Sequence, residues 1–119
     1  MRLATICSFL LLAAFTRVEA HAFLDHAEPA VGSKVTAAPS EIKLWFSEKL
    51  EPALSKVQVF TEDGRLVEKQ TQKPGDNTAI AIVSVPPLKP GKYKVVWKAV
   101  SVDTHVTKGD FSFQVAPAK

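Results

Sequence analysis

The clearest pattern along this chain is a strict alternation of apolar and polar positions. In the stretch EIKLWF, residues 41–46, the apolar side chains of Ile42, Leu44 and Phe46 recur at every second residue. A period of two places alternate side chains on opposite faces of a β-strand. The stretch therefore predicts a strand with one face buried.

The same alternation recurs along most of the second half of the chain. It is longest in GKYKVVWKAV, residues 91–100, and it returns in KVQVF (56–60), AIAIVSV (79–85) and FSFQV (111–115). Aromatic side chains suit half-buried pleated surfaces. We therefore expect strand packing for the aromatic residues of these stretches, which are Trp45, Phe46, Phe60, Tyr93, Trp97, Phe111 and Phe113.

Turn signals separate these stretches. Asp63-Gly64 lies between QVFTE and RLVEK and predicts a type I′ hairpin, since both central positions of that turn need a positive φ. The breakers KPGDN (73–77) and PPLKPG (86–91) follow, and SEKLEPALS (47–55) has room for one helical turn. About seven short strands at near-regular spacing predict one all-β domain, an antiparallel Greek-key β-sandwich of immunoglobulin-like or cupredoxin-like type.

Residues 1–20 resemble a secretory signal peptide. Arg2 precedes an apolar run of 13 residues, Leu3 to Phe15, and Val18-Glu19-Ala20 forms an approximate cleavage site. The run is shorter than the roughly 20 residues that a membrane-spanning helix needs. We therefore expect export to the periplasm and cleavage after Ala20, which leaves residues 21–119 as the mature domain.

The composition of residues 21–119 narrows the chemistry. Cys7 and Met1 both lie in the expected signal, so the mature domain has no disulfide and no sulfur ligand for a metal. Without Arg2, Arg17 and Glu19, 13 basic and 11 acidic residues remain, a formal charge of +2. That net charge gives no indication of nucleic-acid binding, and we expect a monomer.

Three histidines, His21, His26 and His105, are the candidates for metal chemistry. A lone histidine is more often a surface or hydrogen-bonding residue than a ligand. His21 differs, because cleavage would give it a free α-amino group, whose pKa of about 7.7 to 8 allows deprotonation near neutral pH. The amine and Nδ1 of one histidine can together chelate a metal ion.

Asp103 and His105 form a second candidate pair. They are two residues apart, so in an extended segment both side chains project to the same side. The alternative is an Asx-type turn with an exposed histidine. Combined with His21, the pair would complete a set of three nitrogens and one oxygen that suits Cu(II), although zinc is also chemically possible.

Three stretches carry a resemblance to a known family. HAFLDHAEPAVGS, IKLWFSEKLEP and LKPGKYKVVWKAVSVDTHVTKGDFSFQV resemble the CopC family of periplasmic copper-binding proteins, over essentially the whole mature chain. The resemblance implies one Cu(II) per chain, bound by His21, Asp103 and His105, with Glu48 beside the metal as a hydrogen-bond acceptor or weak ligand. A solvated loop charge is the alternative for Glu48, and His26 matches no position of the family motif.

The chain departs from part of that family in one respect. Some members carry a methionine-rich loop for Cu(I), whereas the corresponding stretch VFTEDGRLVEKQTQKPGDN (59–77) has no methionine. The resemblance therefore predicts a protein with a Cu(II) site only. It also implies an inner-membrane copper transporter of the CopD type as the partner.

Three classes of function remain open on the sequence. The leading one is a non-enzymatic Cu(II) carrier or buffer in copper homeostasis and resistance. A copper oxygenase with an N-terminal histidine brace would use similar ligands, but the anionic Asp103 would favour Cu(II) and oppose redox cycling. An immunoglobulin-like interaction module would bind no metal tightly. A Ser-His-Asp hydrolase is disfavoured because no nucleophile-elbow context is present.

Overall fold

The computed structural model of the protein describes residues 22–75 and 77–117. These residues form eight β-strands and no helix: β1 (Leu24–Glu28), β2 (Lys34–Val35), β3 (Glu41–Phe46), β4 (Lys56–Thr61), β5 (Thr71–Pro74), β6 (Ile80–Ser84), β7 (Gly91–Val100) and β8 (Val106–Val115). No helix that could cross a membrane occurs in this described part of the chain.

The strands form two sheets of four. One sheet has the order β1-β3-β6-β5 and the other β2-β8-β7-β4. Every pairing is antiparallel except that of β2 with β8, which is parallel. The all-β sandwich predicted from the alternation is confirmed, with eight strands where about seven were expected.

The core lies between the two sheets, on the predicted faces of β3, β4, β7 and β8. In β6 the prediction is wrong, because the alternation in AIAIVSV assigns Ile80 and Ile82 to the core, whereas Ala81 and Val83 are buried there and the two isoleucines are only half-buried. Ile42, Leu44, Val59 and Val95 are fully buried, and Phe113 is 1% exposed. The observed bounds of β3 and β7 coincide with the predicted stretches, whereas β8 begins five residues earlier than FSFQV. Burial of these apolar faces is the main driving force for folding.

The aromatic residues pack as expected, on both the inner and outer faces of the sheets. Tyr93 stacks on Phe113 with ring centroids 5.5 Å apart. Phe46 meets Trp97 edge to face at 5.2 Å. Trp45 instead lies half-buried on the outer face of the first sheet.

The hairpin predicted at Asp63-Gly64 is a different turn. Gly64 has a φ of 85°, but Asp63 is not among the described residues with positive φ, so the turn is not type I′. The Gly64 amide donates to the Thr61 carbonyl at 3.0 Å and the Thr61 amide donates to the Arg65 carbonyl at 2.8 Å. This is a three-residue loop with glycine at its left-handed position, and RLVEK pairs back only through a bridge between Leu66 and Phe60.

Two glutamine side chains cover the outer edge of β4. Gln70 accepts a hydrogen bond from the Val59 amide at 2.9 Å and donates to the Val59 carbonyl at 3.1 Å. Gln72 accepts from the Val57 amide at 3.2 Å and donates to the Ser55 carbonyl at 2.9 Å. Side-chain amides thus take the place of a neighbouring strand.

The stretch SEKLEPALS contains the expected single turn. The amides of Leu54 and Ser55 both donate to the Glu51 carbonyl, at 3.1 and 3.0 Å. The turn connects the first sheet to β4 and leads the chain across one end of the sandwich. The candidate site residues Glu48, Asp103 and His105 belong to the segments that meet at this end.

Candidate metal centre

The segment after β3 and the loop between β7 and β8 run side by side at this end. The Glu51 amide donates to the Val100 carbonyl at 2.7 Å, and the Val102 amide donates to the Lys49 carbonyl at 3.1 Å. These bonds join the two sheets through their connecting segments. They hold the loop that carries Asp103 next to the segment that carries Glu48.

The first described residues of the chain are fixed at the same end. Ala22 is fully buried, and its carbonyl accepts a 2.6 Å hydrogen bond from the Thr107 hydroxyl on β8. The Phe23 amide donates to the Ser47 hydroxyl at 2.9 Å, and the Ser47 amide donates to the Phe23 carbonyl at 2.8 Å. Ala22 and Phe23 therefore lie between β8, which begins directly after His105, and the segment that carries Glu48.

The side chains of Asp103 and His105 meet, as the sequence predicts, but by a different backbone route. His105 Nδ1 lies 3.1 Å from Asp103 Oδ2. The segment is a turn and not an extended strand, since the Thr104 amide donates to the Ser101 carbonyl at 2.8 Å and Thr104 has a φ of 70°. The turn allows two side chains to converge within a short loop.

The electrostatic environment keeps Asp103 ionised. The hydrogen bond from the Ser101 hydroxyl lowers the pKa of the Asp103 carboxyl, and the His105 ring lowers it further. A hydrogen bond to a carboxylate favours its charged form. Asp103 is therefore ionised at neutral pH, as a carboxylate ligand for a divalent cation must be.

Glu48 and His21 complete the list of expected site residues. Glu48 is half-buried and directly follows Ser47, which bonds to Phe23. His21 lies outside the described residues. No group of three ligating side chains occurs among those that are described, so Asp103 and His105 would need a further ligand from elsewhere to hold a metal ion.

His26 takes part in contacts on the face of the sheet. Its ring stacks on Trp45 of the neighbouring strand, with centroids 4.3 Å apart and planes within 10°. Its Nδ1 lies 2.8 Å from Asp25 Oδ2. His26 therefore has the strand-face position expected of a residue outside the family motif.

Sequence reasoning did not identify the residues that position this centre. Ser47, Ser101 and Thr107 hold the first described residues and the Asp103 loop by hydrogen bonds. Ser101 is 1% exposed, and a buried hydroxyl needs a hydrogen-bond partner. Its position directly after the apolar end of β7 was the available signal, but many strand-end serines share it.

Comparison with known proteins assigns the family. Residues 24–116 match the model of the CopC domain. The chain belongs to the CopC family. The resemblance noted in the sequence is confirmed, and it covers all eight strands.

Two curated relatives align with this chain over most of their own length. Protein YobA of Escherichia coli strain K12 is 39% identical over 100 residues, covering 82% of this chain and 81% of that protein. Copper resistance protein C of Pseudomonas syringae pv. tomato is 36% identical over 104 residues, covering 82% of each. The family thus includes copper-resistance proteins.

Solved structures share the fold. CopC from Methylosinus trichosporium OB3b aligns with a TM-score of 0.76 and 31% identity, over 83% of this chain and 97% of that one. PcoC, a methionine-rich copper resistance protein from Escherichia coli, aligns with a TM-score of 0.74 and 32% identity, over 81% and 99%. This chain differs from a methionine-rich protein, since its one methionine is Met1.

Proposed function

We propose that the protein is exported, is cleaved after Ala20, and binds one Cu(II) as a periplasmic carrier or buffer in copper homeostasis and resistance. In this proposal His21 supplies its amine and its ring nitrogen, and Asp103 and His105 supply an oxygen and a nitrogen. Glu48 lies beside the ion as an acceptor or weak ligand. The protein performs no catalysis and acts as a monomer.

One observation carries the proposal. The hydrogen bonds of Ala22 to Thr107 and of Phe23 to Ser47 fix the first described residues at the end of the sandwich that carries Asp103 and His105. Residue 21 is bonded to Ala22, and adjacent Cα atoms are about 3.8 Å apart. This placement supports a site that combines the new amino terminus with the Asp103 loop.

The donor set supports Cu(II) as the cargo. Nitrogen and carboxylate ligands suit Cu(II), whose affinity for such sites is highest among the divalent first-row metals. Cu(I) prefers thiolate and thioether ligands, and the proposed mature chain has neither. An ionised Asp103 further favours the more highly charged ion.

A membrane copper transporter is the proposed partner for transfer. The copper transport protein CutJ of Bacillus subtilis is 29% identical to this chain over 101 residues, which are 83% of this chain but 19% of that protein. A domain of this type therefore also occurs within a much longer transport protein. This supports delivery to an inner-membrane transporter of the CopD type.

The decisive experiment is a Cu(II) chelator competition with protein purified after export. We expect one Cu(II) per chain and a loss of affinity in His21→Ala and in His105→Ala. Loss of an outer partner of a ligand already costs about 10- to 100-fold in metal affinity, so loss of a ligand should cost at least as much. His26→Ala is the matched control and should bind as wild type does.

A variant with one additional residue before His21 tests the amine separately. We expect its affinity to fall although every side chain is retained, because its amine no longer belongs to His21. Equal binding by this variant would exclude the amine as a ligand. Absence of tight binding in all forms would instead favour an interaction module, and glycan oxidation by the copper-loaded protein with reductant and peroxide would favour an oxygenase.

A further inference from the structure

Six exposed lysines lie on the outer face of the β2-β8-β7-β4 sheet. The buried residues of β4, β7 and β8 alternate with five of these positions, so those lysines point away from the core. The sixth, on β2, is exposed and pairs with Gln114 on the outer face of β8. We call this surface the lysine face, and its lysines are Lys34, Lys56, Lys92, Lys94, Lys98 and Lys108.

Three of these lysines form a row across neighbouring strands. Lys56 on β4 pairs with Lys98 on β7, and Lys98 pairs with Lys108 on β8. Like charges directly opposite each other on adjacent strands destabilise a sheet. The row therefore has no explanation in the stability of the fold.

The lysine face has almost no internal countercharge. Within the strands that form it, the only acidic side chain on the outer surface is Asp110, which pairs with Val96. The lysine and arginine ion pairs of the described residues are Lys73 with Glu41 and Arg65 with Asp63. None of the six lysines is paired, so their charge is available to an external anion.

The dimensions of the lysine face indicate the kind of anion. Lys92 and Lys98 are six residues apart on β7, which is about 20 Å at roughly 3.3 Å per residue. The four strands span about 14 Å at roughly 4.8 Å per gap. Lysine is a compact point charge on a flexible stem, whereas arginine is preferred for bidentate recognition of a single carboxylate or phosphate group. The lysine face is therefore suited to an extended array of anionic groups.

We propose that the lysine face docks the protein onto the anionic phospholipid headgroups of a bilayer. An array of lysines spread over a whole sheet face fits a continuous surface of phosphates better than it fits one acidic protein segment. Half-buried Phe60 and Val96 lie among the lysines and offer apolar contact. The Lys56-Lys98-Lys108 row is at the end of the sandwich nearest Asp103 and His105, so docking would hold the proposed copper site close to the membrane.

Vesicle sedimentation with copper-free mature protein tests this inference. We expect binding to phosphatidylcholine vesicles in which a third of the lipid is replaced by phosphatidylglycerol, and none to pure phosphatidylcholine. High salt should release the protein, because ions in solution screen the attraction between the exposed lysines and the anionic lipids. Each lysine near an anionic surface contributes about fivefold in partitioning, so the triple variant Lys56→Gln, Lys98→Gln, Lys108→Gln should bind about a hundredfold more weakly.

A matched control separates the lysine face from net charge. The triple variant Lys43→Gln, Lys69→Gln, Lys89→Gln removes the same charge from other surfaces and should bind like wild type. Equal weakening of both triple variants, or no binding to phosphatidylglycerol vesicles, would overturn the inference. Binding to soluble poly-glutamate without binding to vesicles would overturn it in favour of an acidic protein partner.

The inference is independent of copper binding. The lysines are not proposed ligands, so chelator competition should give both triple variants the affinity of wild type. Far-ultraviolet circular dichroism should show an unchanged β-sheet signal, because all six substitutions replace surface side chains. A protein that docks but binds no copper would contradict the proposed function alone.

Discussion

Trp97 lies directly over Gly109, its partner on the neighbouring strand. A Cβ atom at position 109 would be 2.5 Å from Trp97 Cζ2 and 2.8 Å from Cε2. The indole is 8% exposed and packs against Phe46, so it cannot move aside freely. Glycine at this position is a requirement of core packing.

We therefore expect Gly109→Ala to destabilise the copper-free protein by about 1–3 kcal/mol, the usual cost of overpacking a core. Urea denaturation measures the change. Ser112→Ala, at an exposed position of the same strand, is the control and should stay within about 0.5 kcal/mol of wild type. A Gly109→Ala protein as stable as wild type would show that the indole has room to shift.

Asp103 gives the apo protein a pH-dependent contribution to stability. Hydrogen bonding to Ser101 lowers its pKa in the folded state below the ordinary value of 3.8. A lowered folded-state pKa contributes stability that is fully present above the unfolded-state value and is lost as the pH falls through the folded-state value. We expect Asp103→Asn to be less stable than wild type at neutral pH.

Urea denaturation over a pH series checks this expectation. The difference in unfolding free energy between wild type and Asp103→Asn should shrink as the pH falls below 3.8. Asp25→Asn, which alters an exposed carboxylate paired with His26 outside the proposed site, is a control. A difference that stays constant with pH would contradict a role for the ionised Asp103 carboxylate.

At the scale of strands, β4 depends on side chains for part of its pairing. Val59 is fully buried, and Gln70 bonds to both its amide and its carbonyl. Without Gln70 the carbonyl would still accept from the Val67 amide, but the Val59 amide would lose its partner. A buried backbone group left without a partner costs about 1–3 kcal/mol. We expect Gln70→Ala to destabilise the protein by about that amount.

Hydrogen exchange at the Val59 amide gives a local readout for Gln70→Ala. Protection of this amide should fall more than that of Val95 in the adjacent strand. Gln58→Ala removes a glutamine from the outer face of β4 and should leave protection at Val59 unchanged. Full protection of Val59 in Gln70→Ala would mean that water or another group replaces the glutamine.

The elements that the sequence predicts well are those with one fully buried face. The stretches at 41–46 and 91–100 alternate without interruption, and the structure reproduces both bounds. β1 is not predicted from the sequence, because a register shift between Leu24 and His26 interrupts the alternation of its inward and outward side chains. β5 has no apolar pattern at all, since it is held by pairing with β6 and by the side chain of its own Gln72, which bonds to the Val57 amide.

The candidate site shows the same division at the level of chemistry. Asp103 and His105 are visible in the sequence because few residue types bind metals. Ser47, Ser101 and Thr107 are not, since hydroxyls are common and their role depends on contacts across up to 85 residues of sequence. Side chains that do the chemistry can be read from a sequence more easily than the residues that position them.

At the scale of the whole molecule, the fold should be independent of copper. The buried cluster draws on both sheets and includes Ile42, Leu44, Val95 and Phe113, so it needs no metal to form. We expect copper-free mature protein to give a β-sheet circular dichroism spectrum and to unfold cooperatively. An apo protein without that spectrum would contradict this expectation.

Copper should then raise stability only by linkage. Free Cu(II) at 100 times its dissociation constant should add about 2.7 kcal/mol to the free energy of unfolding. Thermal denaturation at several copper concentrations measures the effect. The variant with an additional residue before His21 is the control and should show a smaller shift in Tm at each concentration.

The burial of Ala22 has a consequence for turnover of the proposed mature chain. An exopeptidase that removed His21 would next have to extract a fully buried residue whose carbonyl is bonded to Thr107. Trimming would therefore slow after a single residue and leave an intact sandwich without the proposed amine and ring nitrogen. That single cleavage would abolish the proposed copper binding irreversibly while the folded sandwich persisted.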